Sequence, residues 1–182
     1  SQVLRAGQSV VVVVFIARTS SKEEFGNVGY AMMTSQLFLP LFELGLTTIL
    51  VREFSREKGH AGDWLSIALL VKVILAAFCI PASWYLSVLI DGGTVIPIMT
   101  AAFSTSYLFR VLEPYETWAV SQHRFDLPTV ARASSFLVML LAMSATVYFQ
   151  LPVIASIMAY SASFLVHSVV IVLLTIRFCE PP

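Results

Sequence analysis

Six apolar segments separated by short polar breaks set the pattern of this 182-residue chain. All but the first are long enough to cross a bilayer, which requires about 20 apolar residues. Lipid offers no partner to unpaired backbone groups, and the alternation of a barrel strand is absent. We therefore expect an all-α polytopic membrane bundle of six transmembrane helices. The segments are residues 3–17, 29–51, 64–90, 94–120, 127–149 and 152–176.

Composition supports a membrane protein and excludes several functions. Hydrophobic residues make up 58% of the chain and charged residues 12%, against about 45–50% and about 25% in soluble domains. The net charge is zero, so the chain lacks the basic field that nucleic acid binding requires. Its cysteines and histidines are scattered, and it has no HExxH, GxSxG or glycine-rich phosphate loop. We expect no metal, no cofactor and no enzyme activity.

Basic residues in the breaks predict the orientation. If the N-terminus is cytoplasmic, the inside segments carry more arginine and lysine than the outside segments, which favours cytoplasmic N- and C-termini. Arg5, Arg52, Arg56, Lys58, Arg124 and Arg177 then lie inside, whereas Arg18 and Lys22 lie outside.

Several charges fall inside the second, third and fourth segments, where exposure to lipid costs several kcal/mol. They are Glu43, Lys72, Arg110, Glu113 and Glu116. Glu43, Lys72 and Glu113 lie at similar depth, roughly 12–13 Å from the cytoplasmic ends of their helices, which predicts one polar site. Two interpretations stay open. The charges face a cavity for a substrate or ion, which intramembrane charge favours, or they form a structural ion pair.

Polar side chains share helix faces with these charges, so we expect the faces to line the bundle interior or a water-filled cavity. Gln36, Glu43 and Thr47 share one face of the second segment, and Ser106, Arg110, Glu113 and Thr117 share one face of the fourth. Prolines at positions 81 and 114 predict kinks. For His167 we favour a hydrogen-bonded packing role over a proton relay.

Residues 20–59 resemble the first loop and second helix of the polysaccharide-transporter branch of the multidrug/oligosaccharidyl-lipid/polysaccharide flippase superfamily. The resemblance rests on Glu24-Phe25-Gly26, on the acid–Leu–Gly–Leu step that contains Glu43 and Gly45, and on Val51-Arg52-Glu53. The stretch "ETWAVSQHRFDLPTVARA" is similar to the end of helix four in O-antigen flippases. Asp is commoner than Glu at position 43 in that family, and the substitution keeps the charge.

The resemblance implies that residues 1–182 form the N-terminal lobe of a longer, two-lobe flippase whose second lobe is missing here. Such a protein spans the inner membrane, contacts membrane lipid and moves a lipid-linked oligosaccharide or polysaccharide precursor by alternating access. Lys72 or Arg110 would balance Glu43 and attract pyrophosphate or acidic sugars. Alternatively, Glu43 and Glu113 would bind a coupling proton or sodium ion.

Two other functions stay open. A drug/cation antiporter of the same superfamily would share the fold, although the Val-Arg-Glu step at residues 51–53 argues mildly against it. A non-transporting membrane scaffold of a polysaccharide assembly complex belongs to a different class. An intramembrane glycan polymerase would be expected to carry a large external loop, which this chain lacks.

Overall fold

The structure, a computed structural model, describes residues 2–56 and 61–179. These residues form helices and no strands, which confirms the all-α prediction. Lys58, which the sequence assigns to a cytoplasmic break, lies outside the described residues. The helices are α1 (Gln2–Thr19), α2 (Lys22–Gln36), α3 (Leu39–Glu43), α4 (Leu46–Arg56), α5 (Ala61–Asp91), α6 (Val95–Ser104), α7 (Ser106–Arg110), α8 (Glu113–Ser121), α9 (Asp126–Tyr148) and α10 (Val153–Phe178).

The prediction of a helical membrane bundle is confirmed, but the predicted number of six spans holds only approximately. Within the described ranges, four helical stretches are long and apolar enough to cross a membrane, and five if the bent α6–α8 stretch is one span. Helix α1 contributes only a shorter apolar stretch, Val10–Thr19. The first predicted segment is therefore the one that falls short, because its apolar part is too brief for the hydrocarbon core.

The second segment begins earlier than predicted. Residues 22–28, expected in a loop, are the first turns of α2. Ser21 caps this helix, because its hydroxyl accepts from the Glu24 backbone N–H at 3.2 Å and its own N–H donates to the Glu24 carboxylate at 2.9 Å. This reciprocal pair satisfies two otherwise unpaired donors. The acidic residues Glu23 and Glu24 also favour the positive end of the helix dipole.

The same segment is broken twice, and the second break follows Glu43. Pro40 stands in the first turn of α3 and has no N–H to donate to the carbonyl four residues earlier. Leu44 and Gly45 then take φ values of 42° and 66°. Glycine adopts this left-handed conformation freely, whereas leucine does so at a cost. The break therefore fixes Glu43 at the last position of α3.

The fourth segment is also broken, as the predicted proline kink requires. Pro114 lies in the first turn of α8 and cannot donate to the carbonyl of Arg110. The axis bends by 40° between Val95–Arg110 and Glu113–Ser121. The break therefore fixes Arg110 and Glu113 on opposite sides of a short interruption. Helix α5, by contrast, continues through Pro81.

Packing divides the bundle into layers that hold these breaks in place. Helices α9 and α10 pack along each other, α6 packs between α2 and α5, and α4 packs on α8. One apolar cluster joins α1, α2, α6, α9 and α10, and another joins α4, α8 and the start of α5. In the second cluster, Phe54 meets Trp118 edge to face with ring centroids 5.1 Å apart.

Candidate functional site

The charges of the second, third and fourth segments meet, and we call Glu43, Lys72, Arg110 and Glu113 the first charge cluster. Arg110 donates to Glu43 at 3.0 Å and lies 3.6 Å from Glu113. Lys72 donates to the other oxygen of Glu113 at 3.1 Å. The helix dipole favours an acid at the start of a helix and a base at its end. Glu113 begins α8 and Arg110 ends α7, so both charges suit their positions.

Lys72 is the buried member of the first charge cluster and does not face the cavity described below. Its side chain is only 2% exposed, and its ammonium stands 4.2 Å from the centre of the Phe42 ring. A cation over an aromatic face is stabilised by the ring quadrupole. The sequence placed Lys72 on a cavity-facing surface, but the structure buries it among α3, α5 and α8. Its partner is Glu113, and the partner of Glu43 is Arg110.

A second charge cluster joins α8, α9 and α10 and consists of Glu116, Arg132 and His167. Arg132 lies 2.5 Å from one Glu116 oxygen, and His167 Nε2 lies 3.1 Å from the other. Sequence reasoning missed Arg132 because a single arginine scarcely lowers the hydropathy of an apolar segment. Its position five residues inside the predicted 127–149 segment was the signal that could have revealed it.

This second cluster is incompletely satisfied. Within the described residues, Arg132 Nε and His167 Nδ1 are buried and have no hydrogen-bond partner. An unpaired buried donor or acceptor costs about 1–3 kcal/mol. His167 therefore has more than the expected packing role, because its imidazole also contacts Glu116 of α8.

Both clusters border a partly open cavity of about 280 Å³. Glu43, Arg110, Glu113, Glu116, Arg132 and His167 lie along it, whereas Lys72 does not. Of the polar residues that the sequence placed on these faces, Gln36 and Ser106 line it. The remaining lining residues are Gln8, Met32, Ser35, Leu39, Phe103, Tyr107, Ser135, Tyr160, Ser163, Phe164 and Ser168.

A second pocket of about 260 Å³ also borders acids of the two charge clusters. Glu43, Glu113 and Glu116 border both spaces, and the two remaining predicted residues, Thr47 and Thr117, line this one. The two polar spaces therefore share three carboxylates.

Hydroxyl groups tie the broken helices to their neighbours. The Tyr107 hydroxyl donates to the Ser35 carbonyl at 2.5 Å, just before the first break in the second segment. Ser104 donates to Ser35 Oγ at 3.3 Å and lies 2.7 Å from Ser83 Oγ on α5. Ser168 donates to the carbonyl of Phe109. These bonds fix the cavity wall on α2, α5, α6, α7 and α10.

The residues of the family motif lie away from both pockets. Glu24 caps α2, and Arg52 binds Glu53 at 2.9 Å near the end of α4. Gly45 ends α3 through its positive φ. Phe25 and Gly26 stand on the first turns of α2. These motif residues therefore shape helix ends, whereas Glu43, in the acid–Leu–Gly–Leu step, and Val51, beside Arg52, line pockets.

No group of three acidic, histidine or cysteine side chains that could hold a metal ion occurs in residues 2–56 and 61–179.

The model of one protein family, described as polysaccharide biosynthesis protein, matches residues 1–181. This match confirms the resemblance read from the sequence. No curated protein and no solved structure matches the chain.

Proposed function

This chain belongs to the polysaccharide biosynthesis protein family, and we propose that it is the N-terminal lobe of a flippase. Membership supports a multi-pass inner-membrane transporter of polysaccharide or its lipid-linked precursor at the level of the family. The finer proposal is that the full protein moves a lipid-linked oligosaccharide by alternating access. A second lobe would complete the cavity and supply the opposite gate.

The observation that carries this proposal is the cavity itself. Hydroxyl, amide and ion-paired side chains surround about 280 Å³ within an otherwise apolar bundle. Polar backbone breaks are tolerated in membrane spans where they line such a space, and both broken segments contribute to it. A glycan headgroup needs a hydrated path of this kind, while its lipid tail stays in the bilayer.

The charge clusters suggest how the transport cycle is coupled. Glu43 and Glu113 share Arg110 and border both pockets. Binding of a proton or sodium ion at Glu43 would weaken its hold on Arg110, which would release α3 from α7. Ion binding would in this way alter the lining that the pockets share.

A drug/cation antiporter of the same superfamily is the second candidate. The observation in its favour is the exposure of Glu43, whose side chain is 42% exposed at the cavity. A carboxylate in that position also suits an organic cation. Export of ethidium without export of glycan would identify this function. The scaffold alternative predicts neither activity.

The transport proposal is tested by complementation of a flippase-deficient bacterial strain. We expect the full-length protein to restore surface glycan, and residues 1–182 alone to restore none, because one lobe cannot form a two-sided gate. Surface glycan is measured by whole-cell lectin or antibody staining, with membrane protein level as the control. Restoration by residues 1–182 alone would contradict the half-transporter proposal.

The proposed orientation, with both termini cytoplasmic, is tested by cysteine labelling. In a background without Cys79 and Cys179, Lys22→Cys and Gly93→Cys should react with an impermeant maleimide in intact cells, since both breaks lie outside. Phe125→Cys, in the exposed turn between α8 and α9, should react only after permeabilisation. Labelling of Phe125→Cys in intact cells would reverse the orientation.

A further inference from the structure

The permanent cations of the two charge clusters are already neutralised by the acids of those clusters. Lys72, Arg110 and Arg132 each lie within 3.1 Å of a carboxylate. Glu43, Glu113 and Glu116 balance them, so the two charge clusters carry no net charge when His167 is neutral. A cation that is paired inside a low-dielectric wall offers an anionic ligand little attraction, because its field is cancelled at short range.

Glu43 is far more exposed than the other charged groups. The side chains of Lys72, Arg132 and Arg110 are 2%, 7% and 13% exposed, and those of Glu113 and Glu116 are 14% exposed, whereas that of Glu43 is 42% exposed. Arg110 holds one oxygen of Glu43, and the other has no partner among the described residues. The charged group that a ligand meets first is therefore a half-satisfied carboxylate.

The wall near Glu43 supplies neutral polar groups and aromatic faces. Gln36, Ser106 and Tyr160 line the cavity, and their side-chain polar groups have no hydrogen-bond partner in the described part of the chain. Tyr160 packs edge to face on Phe164, with centroids 5.3 Å apart. Amide and hydroxyl groups both donate and accept hydrogen bonds, and aromatic rings present apolar surface beside a polar edge.

We propose, on the basis of the function proposed above, that this lobe binds sugars without acid groups and excludes acidic ones. The free oxygen of Glu43 would accept hydrogen bonds from sugar hydroxyl or amino groups, and such charge-assisted bonds are the stronger kind. A uronic acid or phosphate at the same place would find no donor on that oxygen, because an ionised carboxylate only accepts hydrogen bonds, and would meet like charge. The pyrophosphate of the carrier lipid must then be held outside this wall, so neither Lys72 nor Arg110 serves as its binding group.

The local potential is tested directly with charged thiol reagents. Ser106→Cys is introduced into the full-length protein in membrane vesicles, in a background without other cysteines. Its reaction rates with cationic and anionic methanethiosulfonates are compared and corrected for the ratio on a free thiol. Thr94→Cys, at an exposed helix start, is the matched control. We expect the cationic preference at Ser106→Cys to exceed the control by about five-fold, and Glu43→Gln to remove it.

A preference for the anionic reagent at Ser106→Cys, or a cationic preference that survives Glu43→Gln, would overturn the inference. Substrate selection is then measured in two flippase-deficient hosts that express the full-length protein. One host makes a neutral repeat unit and the other a repeat unit with a uronic acid. We expect at least about ten-fold more export of the neutral glycan, and a smaller difference with Glu43→Gln.

The two proposals fail in different ways. Equal or greater export of the acidic glycan overturns the selectivity inference and leaves the transport function intact. If neither glycan is exported while the thiol ratio depends on Glu43, the transport function fails and the acidic wall of the cavity stands. Protein level in each membrane is matched before export is compared.

Discussion

Lys72→Met is expected to lower the amount of folded protein in the membrane, whereas Glu43→Gln is expected to leave it near wild type and to impair export. Lys72 is 2% exposed, and its removal leaves Glu113 with Arg110, 3.6 Å away, as its remaining charge partner in the clusters. Breaking a buried pair in this way typically costs about 3–5 kcal/mol. Glu43 is far more exposed, and after its removal Arg110 keeps Glu113, 3.6 Å away, as a charge partner. The measurement is the thermal midpoint and yield of a fluorescent fusion, compared with glycan export.

The matched control for Lys72 removes both partners. Lys72→Met with Glu113→Gln should recover much of the lost yield, because replacing a buried pair by neutral groups is often neutral or stabilising. Normal accumulation of Lys72→Met together with loss of export would show that Lys72 acts in transport, as the sequence alone suggested. The structural role given to it here would then be wrong.

Arg132→Met is expected to destabilise the lobe by a similar amount, about 3–5 kcal/mol. It removes the closest partner of Glu116, at 2.5 Å, and leaves that carboxylate with His167. The consequence should be local as well as global, since Glu116 joins α8 to both α9 and α10. The measurement is the thermal midpoint of the detergent-solubilised fusion protein, followed by protease susceptibility of the turn between α8 and α9.

Two variants separate charge from shape at Arg132. Arg132→Lys keeps the charge but loses the planar fork, so an intermediate loss is expected. The double variant Arg132→Met/Glu116→Gln should recover most of the midpoint, because no buried charge is left uncompensated. If Arg132→Met were as stable as wild type, the bridge would contribute nothing measurable to the packing of α8, α9 and α10.

Hydropathy and helical spacing were enough to predict the helical bundle and most of the residues that meet inside it. The polar faces around Glu43 and Glu113 follow from the 3.6-residue repeat, and the bend near residue 112 follows from Pro114. These features depend on a single helix and its neighbouring residues. Features set by residues that are close together in the chain are therefore the ones that the sequence predicts best.

Which acid pairs with which base could not be predicted from the sequence in the same way. Similar depth allowed Glu43 to pair with Lys72 or Arg110, and the decision depends on how α3 and α5 pack around Phe42. The ends of α3 were also hidden, because Leu44 takes a conformation that leucine rarely adopts. Arg132 was overlooked because a single arginine scarcely lowers the mean hydropathy of the apolar segment that contains it. Each of these features is settled by tertiary contacts.

The order of residues in the ion pairs has a consequence for how the lobe is made. Synthesis proceeds from the N-terminus, and Glu43 precedes its partner Arg110 by 67 residues. Lys72 precedes Glu113 by 41 residues. The second and third segments are therefore made before the fourth segment, which supplies the partners of both charges. Because an unpaired charge is costly in lipid, we expect the earlier helices to stay near water or the insertion machinery until the fourth segment leaves the ribosome.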